Sequence, residues 1–146
     1  LPAQGTIWGN VNGNLPRSRS TTLGEYSTFN RTSYRIGYDL THQFDHIIAE
    51  QHRGPTTENN LALACYSCNK NKGPNISSVD PATQQNVRLF NPRTDTWSEH
   101  FRWDVAILRG LTPVGRATLE LLKVNSHDRV DLRRSVIAEG VFPPTI

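Results

Sequence analysis

The pattern of apolar and polar positions divides the chain into three parts. Residues 1–40 are rich in Gly, Asn, Ser, Thr and Arg and show weak periodicity, which predicts a peripheral N-terminal arm with no assigned fold. Residues 41–75 alternate between short apolar runs and polar segments, and we interpret them as a core unit. Residues 76–146 predict further strands and two helices, and we expect this extension to pack with the core as one domain.

Within the core unit the pattern predicts strand, loop, strand and helix. Residues 43–49 alternate and then become apolar, which is typical of a short strand. A polar loop with a Gly54-Pro55 turn follows, and residues 61–64 predict a second strand. Residues 65–72 fit a short helix that ends at Gly73, because glycine is favoured just after a helix.

The pattern of the extension predicts both strands and helices, so we expect the α+β fold class. Residues 87–90 and 101–110 read as strands, with a turn or short helix around 96–99 between them. The pair Thr112-Pro113 is a helix start, with a hydroxyl cap followed by proline. The apolar face expected for that helix consists of Val114, Ala117, Leu121 and Val124. A second helix is expected to begin at Ser126 and to end before Gly140.

Composition limits the class of protein without indicating a function. The chain has 146 residues, which is long enough for one domain with a hydrophobic core. Its composition, 36% hydrophobic and 20% charged, is typical of a soluble protein. Apolar runs are far shorter than the ~20 residues of a membrane helix, so we expect a cytoplasmic protein with no membrane partner. The start carries neither a signal peptide pattern nor an initiator Met, so we expect a trimmed chain or part of a longer one. The net charge of +3 is evenly spread and does not by itself predict nucleic-acid binding.

Five polar residues within 28 positions form a set that could hydrolyse a phosphodiester. His46 can deprotonate a water, because an imidazole titrates at about pH 6.5. Asn60 can fix the imidazole through its amide oxygen. Asp45 and Asn69 offer oxygen ligands that suit one Mg²⁺, with Mn²⁺ as a substitute. Lys72, one helical turn after Asn69, would face the phosphate beside it.

One geometric difficulty attends this set. Neighbouring residues on a regular strand point to opposite faces, so Asp45 and His46 cannot both address one phosphate from an ideal strand. We therefore expect the strand to fray, bulge or end at this point, or the scissile phosphate to lie across its edge.

The motifs DHII, NNLALAC and CNKNKG resemble the HNH motif of the ββα-metal, or His-Me finger, endonucleases. The resemblance covers residues 42–125, is most specific over 45–73, and implies a ββα-metal core. It implies that His46 is the general base, that Asn60 orients it, and that Asn69 binds the metal with Asp45. Asn59 competes for the middle position, and the following Leu61 favours Asn60. It also implies DNA cleavage that leaves a 5′-phosphate and a 3′-hydroxyl.

The two cysteines leave the question of zinc open. Bacterial members of the family carry a second C-x-x-C upstream, and four sulfurs then hold a structural zinc. Here only Cys65 and Cys68 are present, and His42 or His52 would have to complete a site. In the alternative reading, Cys65 packs as a small apolar residue and Cys68 is a surface thiol. The single close pair also favours a reducing compartment over a disulfide scaffold.

Other basic residues receive weaker assignments. Arg53 and Arg93, and with them Arg116, are candidates for phosphate contacts, although a solvated face explains each of them as well. His100 is expected in an aromatic cluster, and His127 in the first turn of a helix.

Three functions compete on this sequence. The first is an active DNA endonuclease, acting alone or as the nuclease module of a larger protein or ribonucleoprotein assembly, such as a bacterial defence or CRISPR-type system. The second is a catalytically inactive nucleic-acid-binding module with the same fold. The third, a C-x-x-C redox protein, leaves Asn69 and Lys72 unexplained.

Overall fold

The computed structural model describes residues 42–140, so the predicted arm over 1–40 lies outside the described residues. Strand β1 (His42–His46) pairs antiparallel with β2 (Leu61–Cys65), with His46 opposite Leu61. Helix α1 (Tyr66–Lys72) follows β2 directly. The order predicted for the core unit is confirmed, except that the first strand ends at His46, three residues earlier than expected.

Local signals explain the bounds of α1. The sulfur of Cys65 accepts a hydrogen bond from the backbone nitrogen of Cys68 at 3.4 Å and caps the first turn. Gly73 follows the last turn with φ of 50° and donates its N–H to the carbonyl of Asn69. A side chain is rarely tolerated at such a φ, so glycine ends the helix there.

The extension adds two hairpins and three helices to this unit. Its elements are β3 (Ser77–Val79), β4 (Asn86–Arg88), α2 (Trp97–His100), β5 (Phe101–Asp104), β6 (Ile107–Gly110), α3 (Pro113–Leu122) and α4 (His127–Ala138). Strand β3 pairs with β4 and β5 with β6, both antiparallel. The mixed α and β class is confirmed, and strand β3 is an element that the pattern did not predict.

Helix α3 begins as its sequence predicts, but it buries a different face. The hydroxyl of Thr112 accepts from the backbone nitrogen of Gly115 at 3.0 Å, and Pro113 is the first helical residue. The face predicted from Val114, Ala117, Leu121 and Val124 is wrong in part. The buried positions are Gly115, Ala117, Thr118, Leu119 and Leu122, because α3 is covered on more than one side, by α1, by β6 and by the β3–β4 hairpin.

One hydrophobic cluster contains residues of both the core unit and the extension. Its members are Ile47, Ala62, Ala64, Cys65, Cys68, Phe90, Phe101, Leu108, Leu119, Leu122 and Val124. The aromatic cluster expected around His100 borders it, with the Phe90 and His100 rings 5.5 Å apart. His127 is the first residue of α4, as predicted, and its side chain is exposed.

A buried ion pair connects α3 to the loop after β3. The carboxylate of Asp80 is fully buried and receives two hydrogen bonds from Arg116, both at 2.8 Å. Arg116 is the main reason why the pKa of Asp80 lies well below its ordinary value. Arg116 is 29% exposed and pairs with Asp80, so an internal ion pair explains this residue better than a solvated face, and its contact with a phosphate stays a prediction.

No helix within residues 42–140 is both long enough and apolar enough to cross a lipid bilayer.

The cluster gives a direct stability prediction. Leu122→Ala removes a fully buried side chain and should lower the free energy of unfolding by roughly 2–5 kcal/mol. The matched change Leu132→Ala affects a half-exposed side chain of α4 and should change it by no more than about 0.5 kcal/mol. Urea unfolding of both variants measures the difference, and equal losses would contradict this assignment of the core.

Candidate active site

His46 stands at the end of β1, where the chain leaves the sheet. Its side chain is 24% exposed, while the adjacent Asp45 is buried on the opposite side of the strand. The expectation that the strand ends at this point is confirmed. The imidazole is therefore at the edge of the sheet and turned toward the following loop, not into the core.

The side chain of Asn60 closes that loop. Its amide oxygen accepts from the backbone nitrogen of Ile48 at 2.9 Å, and its amide nitrogen donates to the carbonyls of Ile48 at 2.9 Å and Pro55 at 2.8 Å. The backbone of Asn60 also accepts from Ile47 at 2.8 Å. Asn60 is buried, so these bonds are shielded from competing water.

The direct contact expected between the Asn60 amide oxygen and the His46 ring is therefore corrected. That oxygen is committed to Ile48, because the loop backbone would otherwise leave buried groups unsatisfied. Nε2 of His46 lies 2.9 Å from Oγ1 of Thr56. Thr56 in turn donates to Oε1 of Glu50 at 3.2 Å.

Gly54 is required by the close approach of the loop to itself. A Cβ atom at this position would overlap the backbone carbonyl of Ile48 and crowd the Asn60 amide. The turn that the Gly54-Pro55 pair predicted is thus also the place where the loop returns to the strand.

Lys72 reaches the site from α1, but it does not face solvent. Its ammonium donates to the carbonyls of His46 at 2.7 Å and Gly73 at 3.3 Å, and it lies 3.3 Å from the carboxylate of Asp45. The side chain is fully buried, so its expected contact with the phosphate is corrected. Burial lowers the pKa of Lys72, and the nearby Asp45 offsets part of that shift. Lys72 therefore ties the backbone of His46 to α1.

The two residues expected to bind a metal belong to neighbouring elements. Asp45 and Gln43 lie on the same face of β1, and that face meets α1, where Lys72 pairs with Asp45 and Asn69 pairs with Gln43. The Asn69 amide nitrogen donates to Gln43 at 2.8 Å, and its amide oxygen makes no hydrogen bond to the described residues. One carboxylate and one amide oxygen suit Mg²⁺, which keeps several of its ligands as water or phosphate. No three His, Cys, Asp or Glu side chains among residues 42–140 gather into a metal-binding group.

The two cysteines are buried beside an arginine of α4. The guanidinium of Arg129 lies 3.6 Å from the sulfur of Cys65 and 3.4 Å from that of Cys68. The reading of Cys68 as a surface thiol is wrong, because its side chain is fully buried. The hydrogen bond to Cys65, together with burial, raises the pKa of Cys68 well above its ordinary value. His52 is exposed on the loop and is not part of this group.

The candidate phosphate contacts differ in their surroundings. Arg93 is half-buried and donates from Nε to the carbonyl of Leu61 at 2.8 Å, so it helps to hold the start of β2. Arg53 is exposed at the turn of the loop, with φ of 63°. Neither position tests the predicted contact with a phosphate.

The chain shows sequence similarity to known proteins. The HNH endonuclease family matches residues 33–75. Residues 33–75 of this chain are thus similar to an HNH domain. It is also similar to the Septu protein PtuB of Bacillus thuringiensis, with 32% identity over 78 residues. The alignment covers 53% of this chain and 28% of that relative, so the chain spans just over a quarter of the relative's length. No solved structure gives a significant match.

The HNH motif did not reveal every residue around His46. Thr56 and Glu50 lie in a loop whose polar composition predicts only irregular structure, and no spacing rule singles them out. The usable signal was the Gly54-Pro55 turn, which brings the residue after it back toward the strand.

The loop closure predicts a difference between two adjacent asparagines. Asn60→Ala leaves the loop backbone without its partners and should lower the free energy of unfolding by about 1–3 kcal/mol. It should also speed tryptic cleavage after Arg53, which lies within the loop. Asn59→Ala changes an exposed side chain and should do neither. Similar cleavage rates in the two variants would show that Asn60 does not order the loop.

Proposed function

We propose that this chain is a metal-dependent DNA endonuclease that hydrolyses phosphodiester bonds with His46 as the general base. The observation that carries the proposal is the position of His46. Its imidazole stands at the end of β1, and Lys72 holds its backbone carbonyl while pairing with the buried carboxylate of Asp45. The match of residues 33–75 to the HNH endonuclease family supports the same reaction class, and on this basis we propose that β1, β2 and α1 are the ββα-metal core.

The chemistry assigns a separate task to each group. His46 takes a proton from a water, whose oxygen attacks the phosphorus, and the bond to the 3′-oxygen breaks. The products are a 5′-phosphate and a 3′-hydroxyl, which receives a proton from solvent. Asp45 and Asn69 would hold one Mg²⁺ or Mn²⁺. When bound, that ion neutralises charge on the phosphate and on the leaving oxygen.

We further propose that the chain works as the nuclease module of a larger assembly. It spans only part of the PtuB relative, and the similarity to a Septu protein supports a bacterial defence setting. Substrate choice would then depend on contacts outside residues 42–140 as well as within them.

Plasmid cleavage tests the proposed reaction. Supercoiled DNA should be nicked or linearised with Mg²⁺, and EDTA should stop the reaction. His46→Ala should reduce the rate by roughly 10²–10⁴-fold, the usual contribution of a general base. His127→Ala, an exposed histidine on α4, is the matched control and should cleave at the wild-type rate. DNA binding without cleavage by the wild-type protein would favour the inactive binding module, and full activity of His46→Ala would remove the proposed base.

Metal binding can be tested without DNA. Asp45→Asn and Asn69→Ala should each weaken Mn²⁺ binding by about tenfold or more, which corresponds to 1.4 kcal/mol per tenfold. Calorimetric titration measures this, with Asp128→Asn, an exposed carboxylate on α4, as the control. An unchanged affinity in the first two variants would mean that the ion binds elsewhere. Elemental analysis of the purified protein, made in parallel, shows whether zinc accompanies Cys65 and Cys68.

A further inference from the structure

Two side chains of the loop after β1 surround one nitrogen of the proposed base. Nε2 of His46 lies 2.9 Å from Oγ1 of Thr56. The Thr56 hydroxyl is 3.2 Å from Oε1 of Glu50, and the same carboxylate oxygen is 3.7 Å from Nε2 of His46. The imidazole, the hydroxyl and the carboxylate thus form a closed triangle.

The direction of each hydrogen bond follows from the number of protons that each group carries. A hydroxyl has one proton to donate, and an ionised carboxylate can only accept. When both contacts are hydrogen bonds, the Thr56 proton goes to Glu50 and the Thr56 oxygen accepts from Nε2 of His46. Since a neutral imidazole carries one proton, Nδ1 is the nitrogen that can accept another.

We propose that Thr56, supported by Glu50, is a positioning residue that holds the His46 ring with its proton on Nε2 and leaves Nδ1 to take the proton of the attacking water. The proposal rests on the nuclease function proposed above. Nothing in the HNH motif read from the sequence includes Thr56 or Glu50.

The loop closure explains why Thr56 lies where it does. Pro55, the residue before it, is held through its carbonyl by the Asn60 amide. Gly54 lets the loop pass close to Ile48. Asn60 therefore acts on His46 indirectly, by fixing the backbone from which the Thr56 hydroxyl reaches the ring.

The two positioning groups should contribute unequally. Glu50 is 72% exposed, and an exposed ion pair contributes little because water screens it. Its oxygen acts mainly as the acceptor for Thr56, and the amide oxygen of a glutamine can do the same. Glu50→Gln should therefore cleave within about threefold of wild type, whereas loss of the Thr56 oxygen removes the bond to the ring.

Kinetics on supercoiled plasmid with Mg²⁺ test this order of effects. Thr56→Val keeps the shape of the side chain and should lower kcat by roughly 10–100-fold, the usual effect of losing a group that orients a site histidine, with KM unchanged. Thr56→Ser restores the hydroxyl and should recover most of the rate. Thr57→Val is the matched control, because its exposed hydroxyl makes no capping bond. Wild-type kcat in Thr56→Val, or no recovery in Thr56→Ser, would overturn the proposal.

A second readout does not depend on cleavage. In ¹⁵N spectra of the metal-free protein, the neutral His46 ring should carry its proton on Nε2, and Thr56→Val should mix the two tautomers. A proton on Nδ1 in the wild-type protein, or identical ring spectra in the two proteins, would overturn the proposal. If the spectra are as expected but the wild-type protein does not cut DNA, the ring assignment stands and the nuclease function is what fails.

Discussion

The hydrogen bonds from the Asn60 side chain to the loop backbone are the constraint on which the rest of the site depends. The loop between β1 and β2 contains two single-turn 3-10 helices, Glu50–His52 and Glu58–Asn60, and such short helices need other contacts to hold them. One buried amide satisfies a donor and an acceptor on Ile48 and a further acceptor on Pro55. Because an unsatisfied buried polar group is costly, these bonds stabilise the loop conformation in which Thr56 lies 2.9 Å from the His46 ring.

Lys72 provides the complementary constraint from α1. A buried ammonium needs both hydrogen bonds and a counter-charge, and here it finds two carbonyls and the carboxylate of Asp45. The carbonyl that it holds at 2.7 Å belongs to His46. The proposed base is thus fixed through its backbone from the helix side and through its ring from the loop side. A base that is held from both sides needs little movement before it can react. Such fixed orientation lowers the activation barrier, because less entropy is lost when the transition state forms.

The sequence was informative where the signals are local. The Thr112-Pro113 start of α3 and the Gly73 end of α1 depend on a few neighbouring residues, and both are confirmed. The HNH domain was recognised because its motif combines several residues at set spacings. The burial of Lys72, in contrast, depends on contacts with residues 26 and 27 positions away.

Other long-range contacts escaped the sequence for the same reason. Arg129 contacts Cys65 and Cys68 across more than 60 residues, and Arg116 reaches Asp80 across 36. No periodicity or spacing rule pairs such residues, so the sequence offered a solvated face as one reading of Arg116 and did not single out Arg129. Asn60 was singled out from its place in the motif, while its actual partners became clear only from the path of the loop.

The most direct test of the account is to locate the metal ion relative to the His46 ring. Mn²⁺ broadens the NMR signals of nearby nuclei, so the ¹⁵N-labelled chain can be titrated with small amounts of it. The account predicts that the signals of Asp45, His46 and Asn69 broaden first. If those signals stay sharp while residues elsewhere broaden, the imidazole and the ion do not share one site, and the proposed mechanism is wrong.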